Sequence, residues 1–170
     1  MTNLPDAEIL LQNLANSLKP LITPKTALVG IHSGGAWIME RLLPMLSKDL
    51  GKELAHGILD VSFYRDDYNQ RGLHSETVPS EISFDVNDRN IILIDDVFYT
   101  GRTIRAAMNE LFDYGRPASI TLAVLVNRGG RELPIAPQIT AFETTLDATQ
   151  NLQLLRHDDG KFYLSLKENA

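Results

Sequence analysis

Apolar residues fall into short, well-separated sets along this chain, and their spacing switches repeatedly between helical and extended periods. Ile9, Leu10, Leu14 and Leu18 recur at close to helical spacing, which predicts a first helix over Asp6 to Leu18. Asp6 is placed to cap it, and Pro20 stops it. Ala27 to Ile31 is an unbroken apolar run that reads as a buried strand. It leads into His32-Ser33-Gly34-Gly35, a turn whose glycines permit unusual dihedrals. Helical spacing resumes from Ala36 to Leu43, and Pro44 is expected to kink or divide that helix.

Ile58 to Tyr64 is rich in β-prone residues with partial alternation and predicts a strand. Arg65 to Asp85 is long, polar and weakly periodic, as expected of a lid or projecting arm. Ile91 to Ile94 predicts the central strand. Arg102 to Tyr114 predicts the next helix, with Ile104, Ala107, Met108, Leu111 and Phe112 as its apolar face and Gly115 with Pro117 as its end. Ser119 to Val126 is a second continuous apolar strand, the pattern of a parallel sheet covered on both faces. Beyond Asn127 the chain is turn-rich and then polar, and Phe162 to Leu166 alternates like an edge strand. Strands alternating with helices imply an α/β fold, a doubly wound and mainly parallel sheet flanked by helices. Ligands of such folds bind at the carboxyl ends of the strands.

Composition narrows the chemistry. A chain of 170 residues can bury a full core as one domain. With 44% hydrophobic and 22% charged residues it falls in the ordinary globular class. The absence of cysteine removes disulfides, thiolate metal sites and cysteine nucleophiles. No apolar run is long enough to span a bilayer, and the opening residues lack the basic and apolar regions of a secretion signal. The expected location is therefore the cytoplasm, without membrane partners. A net charge of −6 argues mildly against a broad nucleic-acid surface.

The densest chemistry lies in Ile91 to Arg105, where the apolar run meets Asp95 and Asp96. Adjacent carboxylates at a strand end can accept hydrogen bonds from two vicinal hydroxyls and oppose positive charge on a sugar ring. Taken alone, such a pair is equally well a turn with an Asp cap. The segment Thr100-Gly101-Arg102-Thr103 then opens a helix, whose free N–H groups and dipole favour a phosphate. A helix start with a threonine cap is the plainer alternative. Neither a GxxxxGK loop nor a GxGxxG fingerprint is present. Acceptors for a diol beside donors for a phosphate suit a phosphorylated ribose.

Three segments carry a family resemblance. YRDD at Tyr64 to Asp67, DDVFYTGRTIRAAMNEL at Asp95 to Leu111 and YGRPASITLAVLVNRGGRELPI at Tyr114 to Ile135 resemble the PyrR family of type I phosphoribosyltransferases. Members of that family are uracil phosphoribosyltransferases, several of which also bind pyrimidine-operon mRNA as attenuation regulators. The resemblance implies the reaction of uracil with phosphoribosyl pyrophosphate (PRPP) to give UMP and pyrophosphate, assisted by Mg²⁺, and a homo-oligomer. It implies a core over about 20–135 with a small hood from the loop 65–85 and the tail 127–170.

It also implies roles for residues. Asp95 and Asp96 would be catalytic, holding the ribose hydroxyls and meeting the metal indirectly, through water or PRPP. Val97, Phe98, Tyr99, Thr100, Gly101, Arg102 and Thr103 would complete the site for ribose and 5′-phosphate. Ser33, Gly34 and Arg65 would take the pyrophosphate. Arg128 and Leu152 would lie by the base or nucleotide.

The regulatory arm is less well supplied with charge. RNA-binding members commonly carry Thr-Arg-Gly where this chain has Ser33-Gly34-Gly35. Their DRGHRELPIR segment is here Asn127 to Ala136, without its acid, its histidine and its last arginine. Because phosphate contacts dominate RNA affinity, the missing cations weaken the case for attenuation. An RNA-binding regulator with little turnover, a nucleotide-sensing module, and a purine-specific enzyme remain as alternatives.

Overall fold

The computed structural model describes residues 3–61 and 80–169. Helix α1 (Ala7–Leu18) begins where the Asp6 carboxylate accepts a hydrogen bond from the Glu8 N–H at 2.8 Å. That bond satisfies one of the orphan donors of the first turn. Leu10, Leu11, Leu14 and Leu18 are buried, while Ile9 is 60% exposed, so the apolar stripe is rotated slightly from the one expected. Pro20 enters a following 3-10 turn, Lys19–Leu21, near its start, where its missing N–H removes no helical bond.

The remaining elements are β1 (Thr26–Ile31), α2 (Gly34–Ser47), β2 (Ala55–Leu59), β3 (Glu81–Ile82), β4 (Asn90–Phe98), α3 (Arg102–Tyr114), β5 (Ser119–Asn127), β6 (Ile139–Glu143), β7 (Gln150–Arg156) and β8 (Phe162–Glu168). Six strands form one sheet in the order β3-β2-β1-β4-β5-β6. All its pairings are parallel except that of β2 with β3. The α/β fold with a mainly parallel sheet is therefore present. Strands β7 and β8 form a separate antiparallel hairpin.

Side-chain alternation divides the core in two. On one face Leu28, Ile92, Ile94, Ala123 and Leu125 meet α1, α2 and the hairpin residues Leu152, Leu154 and Phe162. On the other, Val29, Ile31, Ile91, Leu93, Leu122 and Val124 meet Ile104, Ala107 and Leu111 of α3. Each fully buried Leu, Ile or Val contributes about 1.5–3 kcal/mol relative to exposure. The hairpin is thus fastened to the α1/α2 side by its own apolar residues.

Several elements differ from the sequence expectation. Pro44 neither ends nor divides α2, which runs on to Ser47. Pro44 and Glu40 are both exposed, so the carbonyl released by the missing N–H faces water. Strand β2 starts three residues before Ile58, and its expected continuation to Tyr64 lies outside the described residues. So does most of the loop from Arg65, although Glu81 and Ile82 near its end pair with Ile58 and Gly57. Phe112 is 56% exposed and no part of the α3 core face. The tail supplies a sixth strand to the main sheet and both strands of the hairpin, of which only the last was expected. Polar residues interrupt β7, which buries Leu152 and Leu154 on one side only, and β6, which is half-buried at the edge of the main sheet. Among the described residues no helix is long and apolar enough to cross a membrane.

Candidate functional site

Strands β1 and β4 lie side by side, and the helices that follow them pack on opposite faces of the sheet. Their carboxyl ends therefore open a crevice, the usual ligand position of a doubly wound sheet. A cleft of about 670 Å³ occupies this place. Ser33, Asp95, Asp96, the end of β4 at Val97 and Phe98, and the turn from Tyr99 to Gly101 line its floor with Thr103, and β7 forms the opposite wall.

The acids stand inside β4, which continues four residues past Ile94. Asp95 is buried, and its Oδ1 accepts the Asp96 N–H at 2.9 Å. Asp96 is only partly covered and borders the cleft. The turn beyond β1 is pressed against this pair. A Cβ on Gly34 would lie 2.5 Å from Cγ and 2.9 Å from Cβ of Asp96, and one on Gly35 would lie 3.1 Å from the Asp95 Cα. Neither glycine has a positive φ, and both already belong to the first turn of α2. Their function is close approach rather than the unusual dihedrals expected of them. The His32–Ser33 peptide is cis.

The second turn combines donors with a glycine that needs its freedom. Gly101 has φ 98° and precedes α3, whose first bond runs from the Arg105 N–H to the Gly101 carbonyl at 3.0 Å. Thr100 is buried; its hydroxyl accepts the Arg102 N–H at 3.2 Å, and its carbonyl accepts from Glu132 and Leu133 at 2.9 and 3.2 Å. The turn is thus braced by the segment after β5. Other amides of the first helical turn, with the dipole behind them, remain suited to an anion. The Arg102 guanidinium turns aside to Glu132, with Nε donating at 3.0 Å. Phe98 sends its ring into the core, so its part in the cleft is backbone.

Arg128 borders the cleft from beneath the hairpin and is 4% exposed. Its Nη1 donates to the Gln150 carbonyl and its Nη2 to the Asp147 carbonyl, both at 2.9 Å. Its Nε is buried without a partner among the described residues. Most of this side chain is therefore committed to holding the hairpin, and its inaccessible Nε faces the protein interior rather than the open cleft. Leu152 likewise buries its side chain in the core. Its contribution to the cleft is the backbone of β7, whose edge away from β8 carries no other strand among the described residues. Arg65 lies outside the described residues.

Sequence reading missed several lining residues: Trp37, Gln150, Asn151, Gln153 and Asn169. Trp37 follows Ser33 by one helical turn, and its N–H donates to the Ser33 carbonyl at 3.1 Å. The period-two placement of Leu152 and Leu154 was the available signal for β7. No cluster of three or more potential metal ligands exists among the described residues. Two adjacent carboxylates do suit a Mg²⁺ ion that takes its remaining ligands from substrate oxygens and water.

Comparison with known proteins agrees with this geometry. Residues 6–158 match the model of the phosphoribosyl transferase domain. The chain is 46% identical over 159 residues to the bifunctional protein PyrR of Nitrosococcus oceani, covering 91% of this chain and 89% of that one. It is 48% identical over 159 residues to the protein of the same name from Ralstonia nicotianae, covering 91% and 88%. Among solved structures, a hypoxanthine phosphoribosyltransferase from Staphylococcus aureus superposes with a TM-score of 0.63 at 19% identity, covering 88% of this chain and 80% of that one. A purine phosphoribosyltransferase from Pyrococcus horikoshii gives 0.61 at 24% identity, covering 81% and 83%. Likeness at that identity concerns the fold.

Proposed function

The chain belongs to the PyrR family of type I phosphoribosyltransferases, and on that premise we propose that it transfers the phosphoribosyl group of PRPP to uracil in the cytoplasm, forming UMP and pyrophosphate. The observation that carries this reading is the meeting of Ser33, Asp95, Asp96, Thr100, Gly101 and Thr103 around one cleft. Residues from two strand ends bring diol acceptors and phosphate donors together as PRPP requires.

In this reading the Asp95 and Asp96 carboxylates accept the vicinal ribose hydroxyls. The Tyr99–Thr103 turn receives the 5′-phosphate, and the α2 turn at Ser33 and Gly34 receives the pyrophosphate. The bond from C1 to the pyrophosphate oxygen breaks while the uracil nitrogen forms a bond to C1. The leaving group is already attached, so no protein nucleophile is needed. The nearby acids oppose positive charge developing on the sugar, and fixed geometry lowers the barrier further. Mg²⁺, held chiefly by PRPP with Asp95 and Asp96 in reach, would neutralise charge on the departing group.

The base would lie against the open edge of β7, at the end of the cleft that Arg128 and Leu152 border. Uracil presents carbonyl acceptors and N–H donors, which the Leu152 backbone and the amides of Asn151 and Gln153 can complement. The hairpin also covers the cleft, which protects the activated sugar from water.

A base panel decides the reading. Uracil, orotate, hypoxanthine, guanine and adenine are each incubated with PRPP and Mg²⁺, and pyrophosphate release is measured. Turnover with uracil above all others is expected; turnover with a purine alone, or with none, would reject it. The name of the relatives, bifunctional, supports a second activity. Arg116 and Arg131 are exposed cations available for RNA phosphates. Titration with pyrimidine-operon leader RNA at defined salt tests that activity separately.

A further inference from the structure

The turn assigned above to the pyrophosphate contains no cation in Ser33-Gly34-Gly35. One stands close by, on another element. Arg156, the last residue of β7, places its guanidinium carbon 4.1 Å from the centre of the Trp37 ring. Trp37 lines the same cleft as Ser33 and is bonded to it through the backbone. Alternation along β7 puts Arg156 on the side of Leu152 and Leu154, where it stacks on Trp37 of α2 while the residue itself stays exposed to solvent.

The other arginines around the hairpin are engaged. Arg41 pairs with Glu8, Arg102 with Glu132, and Arg128 with two backbone carbonyls. Among the described residues Arg156 has neither an ion pair nor a side-chain hydrogen bond, and the indole is its contact. A guanidinium stacked on a ring uses its face for the cation–π attraction. Its N–H donors lie in the plane and stay available for the two-point recognition of phosphate. The arrangement therefore holds a cation in place without neutralising it.

We propose that Arg156, seated on Trp37, is a pyrophosphate-positioning residue that brings from the hairpin the positive charge missing from the Ser33 turn. The inference rests on the phosphoribosyltransferase reading of the cleft and adds a residue to it. It makes hairpin docking and pyrophosphate binding mutually supportive, because the cation sits on one element and the turn on the other.

The test measures pyrophosphate binding by calorimetry with Mg²⁺, and KM for PRPP and for uracil, on the wild type, Arg156→Gln, Arg156→Lys and Trp37→Leu. Arg156→Gln is expected to weaken pyrophosphate and PRPP by roughly tenfold or more, the loss of a charge-assisted contact. Uracil KM and the melting temperature should stay near wild type. Arg156→Lys should recover part of the loss, and Trp37→Leu should reproduce much of it. A purely structural role would shift the melting temperature and both KM values together, which overturns the proposal. Unchanged pyrophosphate affinity in Arg156→Gln also overturns it, as does a wild type that binds no pyrophosphate. The two readings fail separately: absence of turnover in the base panel removes the transferase function, while the calorimetric comparison still decides the role of Arg156.

Discussion

The guanidinium of Arg128 lies over the ring of Tyr99, its central carbon 4.0 Å from the ring centre. Tyr99 belongs to the turn before α3, and the same guanidinium donates to the carbonyls of Gln150 and Asp147 at the start of the hairpin. One buried side chain thus ties the phosphate-type turn to the wall facing it. A second tie lies at the other end of the hairpin. There Arg41 binds Glu8 at 2.7 Å, Glu8 accepts the Phe162 N–H at 3.1 Å, and Arg41 stands over the Phe162 ring.

Arg128→Ala leaves two carbonyls without their donors and removes the cation from Tyr99. A loss of about 2–4 kcal/mol is expected, on the scale of a broken buried charged network. Arg128→Lys should restore only part of it, since a point charge cannot reach both carbonyls in fork geometry. Thermal unfolding of the two variants checks the order, and equal stability of all three proteins would contradict it.

Gly34→Ala forces a methyl group against the Asp96 carboxylate and its Cβ. Because a misplacement of about an ångström can lower turnover by roughly a hundredfold, activity should fall far more than stability. Steady-state rates beside melting curves give the comparison. Wild-type turnover in this variant would show that Asp96 has no required position.

The two acids should separate under amide substitution. Asp96→Asn alters a partly exposed carboxylate and is expected to reduce turnover about a hundred- to a thousandfold with little change in melting temperature. Asp95→Asn should reduce both, because Asp95 is buried and accepts the Asp96 N–H. If Asp96→Asn loses stability in proportion to activity, its catalytic assignment fails.

Acid should loosen the hairpin through Glu8. The Arg41 hydrogen bonds hold the Glu8 carboxyl below its ordinary range, against the opposing effect of burial, with the Phe162 N–H helping. The folded state therefore takes up the proton less readily than the unfolded chain. The resulting stability is present in full above the ordinary carboxylate pKa and is lost as pH falls through the depressed folded value. Glu8→Gln should melt below wild type at neutral pH and converge with it in acid. A difference constant with pH would exclude this linkage.

Local chemistry explains what could be read directly. Asp6 caps α1 through a bond to a residue two positions away. The acids of β4, the Gly101 turn and the start of α3 are contiguous, so half of the cleft is written in one stretch of chain. Continuous apolar runs at β1 and β5 mark strands covered on both faces, and that marks a parallel sheet.

The amino-acid sequence alone therefore determined the α/β class, the central strands and the floor of the cleft, because caps, turns and periodicity act over a few residues. Tertiary structure decided the rest. It exposed Phe112, carried α2 through Pro44, joined β6 to the main sheet, and set Arg128 under Tyr99 and Arg156 on Trp37. Each outcome depends on which distant segment covers a given face, and no local pattern encodes a partner that folding brings from far along the chain.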